Sequence, residues 1–218
     1  MAERVTARVL EVQTPVGTAR AHLRRPSAAV GALVLGHGAG GGVEAADLVA
    51  VRDAAVAAGW AVALVEQPWR VLGRRVAQAP PRLDEAWLPV LRALRSGRGA
   101  LRGPLVTGGR SAGARVACRT GEQVGAAATV CLAFPLHPPG RPERSRAGEL
   151  ASPASLPLLV VQGERDTFGR PEEVRAVLPE GARVVAVPGG HALDTAAGTR
   201  AAADAVVAFL TGVVGAPE

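Results

Sequence analysis

The chain has 218 residues, 48% hydrophobic and 20% charged, a composition that can bury a core and excludes a disordered protein. Its 27 glycines and 17 prolines follow no period, which excludes collagen-like and repeat architectures. The net charge is +6 and all 25 basic residues are arginine, but only 3% of the residues are aromatic, which argues against a nucleic-acid partner.

The first predicted element is an antiparallel pair of strands over residues 4–23. Apolar and polar residues alternate at its start, and Thr14-Pro15-Val16-Gly17 supplies a turn. Six short apolar runs follow, at residues 31–35, 61–65, 104–107, 126–132, 158–161 and 183–187. Continuous apolar runs of this length are typical of strands buried on both faces, as in a parallel sheet between two layers of helices.

Helices are predicted between these runs, at residues 47–58, 83–94, 111–120, 171–177 and 202–213. The second has apolar residues at helical spacing, and Pro89 is expected to kink it or to mark a restart. Strands that alternate with helices predict an α/β fold with a mostly parallel sheet and helices on both faces. Residues 66–82 and 133–157 are rich in proline and arginine and are predicted to be long functional loops.

Neither a membrane span nor a secretion signal is predicted. Residues 1–8 contain no apolar core of the signal-peptide kind, and the longest early apolar run, 28–35, is far shorter than the ~20 residues that span a bilayer. Cys118 and Cys131 lie in apolar runs without Cys-x-x-Cys spacing, so they predict neither a disulfide framework nor a zinc site. We expect one domain, residues 1–218, in the cytoplasm.

Residues 109–113, Gly-Arg-Ser-Ala-Gly, fit the Gly-x-Ser-x-Gly pattern of a nucleophile elbow. A predicted strand precedes them and a predicted helix follows. An elbow requires this setting, because its serine lies in a tight, strained strand-to-helix turn whose flanking residues must be small. The pattern predicts Ser111 as a nucleophile, and a glycine-rich turn with a helix-capping serine is the alternative.

A serine nucleophile needs a base, and the base needs an acid that orients it. In this architecture the acid and then the histidine follow the serine, each after a later strand. Of the four histidines, only His191 has both this order and a position just after the last predicted strand. Asp166 and Glu164 both follow the strand at 158–161, and Asp166 is preferred because it lies further beyond the strand end.

Residues 36–42, Gly-His-Gly-Ala-Gly-Gly-Gly, follow the first buried strand directly. Such a run exposes backbone N–H groups and can form one side of an oxyanion hole, with the N–H of Ala112 as the other donor. A phosphate-binding loop is disfavoured because no Gly-Lys-Ser/Thr follows. His37 is predicted to anchor this turn by hydrogen bonds.

Taken together, four segments spread along the sequence make nearly the whole chain resemble the alpha/beta-hydrolase superfamily. They are Gly36-His-Gly-Ala-Gly40, Gly108-Gly-Arg-Ser-Ala-Gly113, Phe134-Pro-Leu-His-Pro-Pro-Gly140 and Val161-Gln-Gly-Glu-Arg-Asp-Thr-Phe-Gly169. More narrowly, the chain resembles the small, dienelactone-hydrolase-like domain of bacterial predicted hydrolases. That domain is shared with a testis-expressed vertebrate protein and subunit 3 of the NSL histone-acetyltransferase complex.

The resemblance implies an alpha/beta-hydrolase fold with an N-terminal antiparallel hairpin and no lid domain. It implies a catalytic triad of Ser111, Asp166 and His191, with the Ala39 and Ala112 amides as oxyanion donors. The expected activity is that of a serine esterase on an ester or other acyl bond of a small substrate, without metal or organic cofactor. A non-catalytic interaction module with the same fold is the alternative.

Four further residues are candidates for substrate contact: His37, Arg70, Arg110 and His137. Arg110 adjoins the predicted nucleophile, and Arg70 lies in the loop at 66–82. Since guanidinium groups pair with carboxylates and phosphates, these arginines favour an anionic substrate. The acyl group, the leaving group and the oligomeric state are left open by the sequence.

Overall fold

The computed structural model describes residues 5–151 and 155–215, and strands alternate with helices through most of this range. The strands are β1 (Val5–Thr14), β2 (Gly17–Pro26), β3 (Ala32–Gly36), β4 (Ala61–Glu66), β5 (Leu105–Arg110), β6 (Ala128–Leu132), β7 (Leu158–Gly163) and β8 (Arg183–Val187). The helices are α1 (Ala46–Ala57), α2 (Pro68–Val71), α3 (Pro80–Arg95), α4 (Ala112–Thr120), α5 (Ala147–Leu150), α6 (Pro171–Arg175) and α7 (Ala196–Gly215).

The strands form one sheet in the spatial order β1-β2-β4-β3-β5-β6-β7-β8. β1 and β2 make an antiparallel hairpin, β2 pairs antiparallel with β4, and the remaining pairs are parallel. The strand order reverses at β3, which lies between β4 and β5. Ligands bind beside such a reversal, at the carboxyl ends of the strands, so the loops that follow β3 and β5 occupy the expected position of a site.

Helices cover both faces of the sheet because alternate residues of its central strands are apolar on each face. Leu33 and Leu35 of β3 pack with α1 and α7 in one buried cluster. Ala32 and Val34 of the same strand pack with α3 in a second cluster. Every residue of β3 is buried, as the continuous apolar run predicts.

Proline-rich segments contain more helix than the sequence predicts. α3 continues from Pro80 to Arg95 through Pro89, so the helix does not restart there. Residues 66–82, predicted as a loop, contain α2 and the beginning of α3. Pro68 and Pro80 each occupy the first helical position, where the absent N–H loses no partner, and so begin helices.

The second predicted loop, residues 133–157, also contains local helical structure. It holds a 3₁₀ turn at Pro142–Arg144 and the short helix α5. Residues 152–154 of this segment, and residue 4 of the predicted hairpin, lie outside the described residues.

α7 has 20 residues and a mean hydropathy of 1.3, enough by length and composition to cross a membrane. Its residues Ala202, Val206 and Phe209 belong to the buried cluster that α1 and the sheet form. This is the apolar stripe predicted for the last helix, and in the structure it packs against protein.

Candidate active site

Ser111 lies between the end of β5 and the first residue of α4. Its φ of 52° and ψ of −109° are a conformation that residues other than glycine rarely adopt. The Ser111 N–H donates to the Leu132 carbonyl at 2.9 Å, and the Arg115 N–H donates to the Ser111 carbonyl at 3.2 Å. The neighbouring strand and helix thus hold the strained residue at the apex of the turn.

Glycines allow the strand and the helix around Ser111 to approach closely. A Cβ at Gly113 would collide with the carbonyl of Gly36 at the end of β3. A Cβ at Gly109 would lie 2.5 Å from the same carbonyl oxygen. Small residues are therefore sterically required on both sides of Ser111, which is the local geometry that an elbow needs.

The structure brings Ser111, Asp166 and His191 together in one chain of hydrogen bonds. His191, in the loop between β8 and α7, has Nε2 3.0 Å from the Ser111 hydroxyl and Nδ1 2.9 Å from Asp166 Oδ2. A neutral imidazole fits this chain when Nδ1–H donates to the carboxylate and Nε2 accepts from the hydroxyl. Asp166 is only 1% exposed, whereas Glu164, the alternative acid, faces solvent.

Further donors fix the carboxylate of Asp166. Gln162 Nε2 donates to Oδ2 at 2.9 Å, and the Phe168 N–H donates to Oδ1 at 2.8 Å. Gln162 is fully buried and is itself held by the Phe134 N–H, which donates to its Oε1 at 2.9 Å. Sequence reasoning missed Gln162, although a glutamine near the end of an otherwise apolar strand is a visible signal.

Phe168 was also missed as a neighbour of the predicted histidine. Its ring lies against the imidazole of His191, with 4.2 Å between centroids and 32° between planes. The phenyl ring restricts the access of water to that side of the imidazole. The bulky aromatic residue two positions after Asp166 was the available signal.

The amide N–H groups of Ala39 and Ala112 have no hydrogen-bond acceptor among residues 5–151 and 155–215. Ala112 begins α4, where a helix leaves its N–H groups unpaired, and Ala39 lies in the glycine-rich loop after β3. This loop packs on the elbow, since a Cβ at Gly38 would lie 3.4 Å from the Ser111 Cβ. Ala39 and Ala112 also line one small cavity of about 10 Å³. Two unpaired amide donors thus lie in the segments that meet at Ser111.

His37 anchors the glycine-rich loop, as predicted for that turn. Its Nδ1 lies 2.9 Å from the Gly38 carbonyl, and its Nε2 accepts the Gln67 N–H at 3.1 Å. The ring meets Trp69 edge-on, and burial lowers the pKa of His37 below its usual value. Because protein groups occupy both ring nitrogens, the structure does not present this side chain to a substrate.

Arg70 and His137 each pair with a carboxylate. Arg70 is partly exposed and lies 3.2 Å from Glu44. His137 Nε2 lies 3.2 Å from Glu173, and its Nδ1 lies 2.9 Å from the Pro138 carbonyl. Within the described parts of the chain, neither side chain bonds to the hydroxyl, imidazole or carboxylate of the candidate site.

Arg110, predicted as a substrate contact, is occupied by protein groups instead. Its side chain is 13% exposed, its Nε lies 3.0 Å from Asp47 Oδ2, and its Nη2 donates to the His191 carbonyl at 2.9 Å. Asp47 is fully buried, and this burial raises its pKa to about 6 despite the attraction of the guanidinium. Sequence reasoning missed Asp47, which lies at the start of α1.

Comparison with known proteins supports the fold. Residues 29–208 match a family described as alpha/beta hydrolase domain, and no curated protein matches the chain. Est1E from Butyrivibrio proteoclasticus is 16% identical, with 95% of this chain and 99% of that chain covered and a TM-score of 0.78. XC6422 from Xanthomonas campestris, a serine hydrolase without lid, is 18% identical, with 97% of each chain covered and a TM-score of 0.69. A dienelactone hydrolase from Anabaena variabilis is 17% identical, with 95% and 98% covered and a TM-score of 0.75. The predicted alpha/beta-hydrolase fold, with a mostly parallel sheet and an N-terminal antiparallel hairpin, is confirmed.

Proposed function

The chain belongs to the alpha/beta hydrolase domain family, and from this premise we propose that it is a serine hydrolase that cleaves an ester or other acyl bond of a small molecule. One observation carries the proposal, namely the hydrogen-bond chain from Asp166 through His191 to Ser111, with distances of 2.9 and 3.0 Å. A buried carboxylate, an imidazole and a hydroxyl in this order are the groups that activate a serine for attack.

In the first half-reaction, the Ser111 oxygen attacks the acyl carbon while His191 Nε2 accepts the hydroxyl proton. Asp166 holds the imidazole in the required tautomer and stabilises the imidazolium. The carbonyl oxygen becomes an oxyanion that accepts hydrogen bonds from the amides of Ala39 and Ala112. When the carbon–leaving-group bond breaks, His191 gives its proton to the leaving group and an acyl ester remains on the serine.

In the second half-reaction, water replaces the leaving group. His191 accepts a proton from the water as its oxygen attacks the acyl carbon, and the same two amides receive the second oxyanion. The bond between the acyl carbon and the Ser111 oxygen then breaks, and His191 returns the proton to the serine. The products are an acid and the regenerated hydroxyl, and these steps use only groups of the chain and water.

The prediction of an anionic substrate is weakened at Arg110, because its guanidinium already contacts Asp47 and the His191 carbonyl. Arg70 remains partly exposed and keeps this part of the proposal open to experiment. If Arg70 recognises an acidic group, Arg70→Ala will raise KM for anionic esters and leave KM for neutral esters unchanged. Equal effects on both ester types would remove the anionic preference.

The narrower resemblance to the domain shared with NSL subunit 3, and the cytoplasmic location, are also proposals. The support for a reducing compartment is the sequence itself, in which Cys118 and Cys131 both lie in apolar runs and form no disulfide framework. The four sequence segments remain the support for the narrower resemblance.

Hydrolysis of chromogenic esters by the purified chain tests the proposed activity. We expect turnover of a short-chain ester such as 4-nitrophenyl acetate, and a loss in kcat/KM on the order of 10³-fold or more in Ser111→Ala. Ser96→Ala is the matched control, because Ser96 is an exposed serine at the end of α3 and should keep full activity. A folded wild-type chain no more active than Ser111→Ala on neutral and anionic esters would overturn the proposal.

A further inference from the structure

The backbone of His191 has a single hydrogen bond to the rest of the protein within the described residues. That bond comes from Arg110, whose Nη2 donates to the His191 carbonyl at 2.9 Å. Its neighbours in the loop are held separately, because the Gly189 carbonyl accepts the Arg165 N–H at 2.9 Å and the Gly190 carbonyl accepts a backbone N–H at 3.2 Å. At residue 191 itself, the carbonyl of the proposed base is therefore held by the guanidinium of the residue that precedes the proposed nucleophile.

The same guanidinium contacts the glycine-rich loop. A Cβ at Gly38 would lie 2.9 Å from Arg110 Nη1 and 3.4 Å from the Ser111 Cβ. Arg110 thus lies among the elbow, the loop that carries Ala39 and the loop that carries His191. These three segments supply every group that the proposed mechanism uses except Asp166.

Asp47 determines where the guanidinium lies. Its carboxylate is fully buried, with Oδ1 accepting the Leu48 N–H at 2.8 Å and Oδ2 lying 3.0 Å from Arg110 Nε. Nε and Oδ2 form an ion pair, but the N–H of Nε does not point at Oδ2 well enough to count as a hydrogen bond. A buried ion pair is not needed for stability, since apolar residues of similar volume often give a protein that is equally stable. A role in positioning the guanidinium accounts for the presence of a charged pair here.

We propose that Arg110 positions His191 for proton transfer from Ser111, and that Asp47 holds Arg110 in the conformation that does so. This inference rests on the proposed hydrolase function. It makes Arg110 and Asp47 positioning residues, since neither exchanges a proton or touches the acyl group. It also gives the arginine of the Gly-Arg-Ser-Ala-Gly segment a function other than substrate recognition.

Two substitutions test the proposal through the separate behaviour of kcat and KM. Arg110→Met removes the donor to the His191 carbonyl, and Asp47→Asn removes the charge that holds the guanidinium. We expect each to lower kcat, by up to about 10²-fold for Arg110→Met, because a misplaced base transfers protons poorly. KM should stay within about twofold, and the loss should be the same for neutral and anionic esters. The double variant should lose no more activity than Arg110→Met alone, because both residues act through one contact.

Arg119 and Asp84 provide a matched control pair. They form another partly buried arginine–aspartate pair, with N–O distances of 2.6 and 2.9 Å, and Arg119 lies near the end of α4 that is remote from Ser111. Arg119→Met and Asp84→Asn should lower thermal stability and leave kcat unchanged below the melting temperature. A structural effect of losing any buried pair would instead lower kcat in both sets of variants.

The outcomes separate this proposal from the function on which it rests. If the wild type and Ser111→Ala hydrolyse esters equally, the hydrolase function is wrong. If the wild type is active and folded Arg110→Met keeps its kcat, only the positioning role is wrong. A KM increase restricted to anionic esters would identify Arg110 as a substrate contact and overturn the proposal. If Arg110→Met does not fold, Asp47→Asn and Arg110→Lys decide, and an unchanged kcat in both contradicts the inference.

Discussion

Ser111→Gly should be more stable than Ser111→Ala, because glycine adopts the backbone conformation of residue 111 without strain. The φ of 52° and ψ of −109° place a Cβ in a region that L-residues rarely occupy. Both substitutions remove the hydroxyl and its hydrogen bond to His191. The difference in stability between the two variants therefore isolates the backbone.

The expected difference follows from two opposing effects. A residue other than glycine in such a region costs on the order of 1–3 kcal/mol. The glycine variant avoids this strain, but it is destabilised by about 1 kcal/mol because glycine gives the unfolded chain more conformational freedom. The net gain for Ser111→Gly is about 1 kcal/mol, which for a chain of this size raises the melting temperature by roughly 2–4 °C.

Ser96 supplies the reference for this comparison. It is exposed at the end of α3, with a φ of −115° and a ψ of 161°, which any residue adopts without strain. There the glycine variant should be less stable than the alanine variant, by up to about 1 kcal/mol. Urea unfolding of the four single variants gives both differences. If the glycine-minus-alanine difference is the same at residues 111 and 96, the elbow is not strained and the reasoning fails.

Three further predictions concern the site and its surroundings. Asp166→Asn should lower kcat for ester hydrolysis by roughly 10³- to 10⁴-fold, because the amide no longer selects the required tautomer of His191, and a loss below tenfold would contradict this role. Gly113→Ala should lower the free energy of unfolding by on the order of 2 kcal/mol, since its Cβ collides with the Gly36 carbonyl, and an unchanged melting temperature would refute the close approach. Burial raises the pKa of Asp47 from 3.8 to about 6, so the folded state favours its protonated form, and stability is lost as the pH rises from about 4 through about 6. The loss of stability is about 3 kcal/mol in the wild type and should be absent in Asp47→Asn. Urea unfolding at pH 4 and pH 7 measures it, and the same change in stability between these pH values in both proteins would contradict the prediction.

The parallel strands were predictable because strands buried on both faces appear as short continuous apolar runs. Each of the six runs overlaps an observed strand, with differences of a few residues at the ends. The run at 126–132 starts two residues before β6, since Ala126 and Ala127 are as apolar as the strand that follows. The helices that begin at Pro68 and Pro80 were not predictable, because proline is equally common in loops and at the first position of a helix.

The three residues of the hydrogen-bond chain were found from their order along the sequence and their positions after strand ends. This works because the carboxyl ends of parallel strands lie at one edge of the sheet. The residues that hold these three in place could not be predicted in this way. Gln162 and Asp47 act through contacts whose direction is decided by packing, and Arg110 turns towards Asp47 in α1 although its neighbour in sequence is Ser111. Adjacency in sequence suggested a substrate contact at Arg110, whereas the fold supplied a buried partner.

Reaction with a fluorophosphonate is the most direct measurement of the central claim, that Ser111 is an activated nucleophile. The serine oxygen would displace fluoride from phosphorus and form a stable adduct that mass spectrometry locates by peptide. The account predicts one adduct, at Ser111, that persists in Ser96→Ala and is absent from Ser111→Ala and strongly reduced in His191→Ala. A folded wild-type chain that takes up no reagent, or takes it up at another serine, would contradict the account.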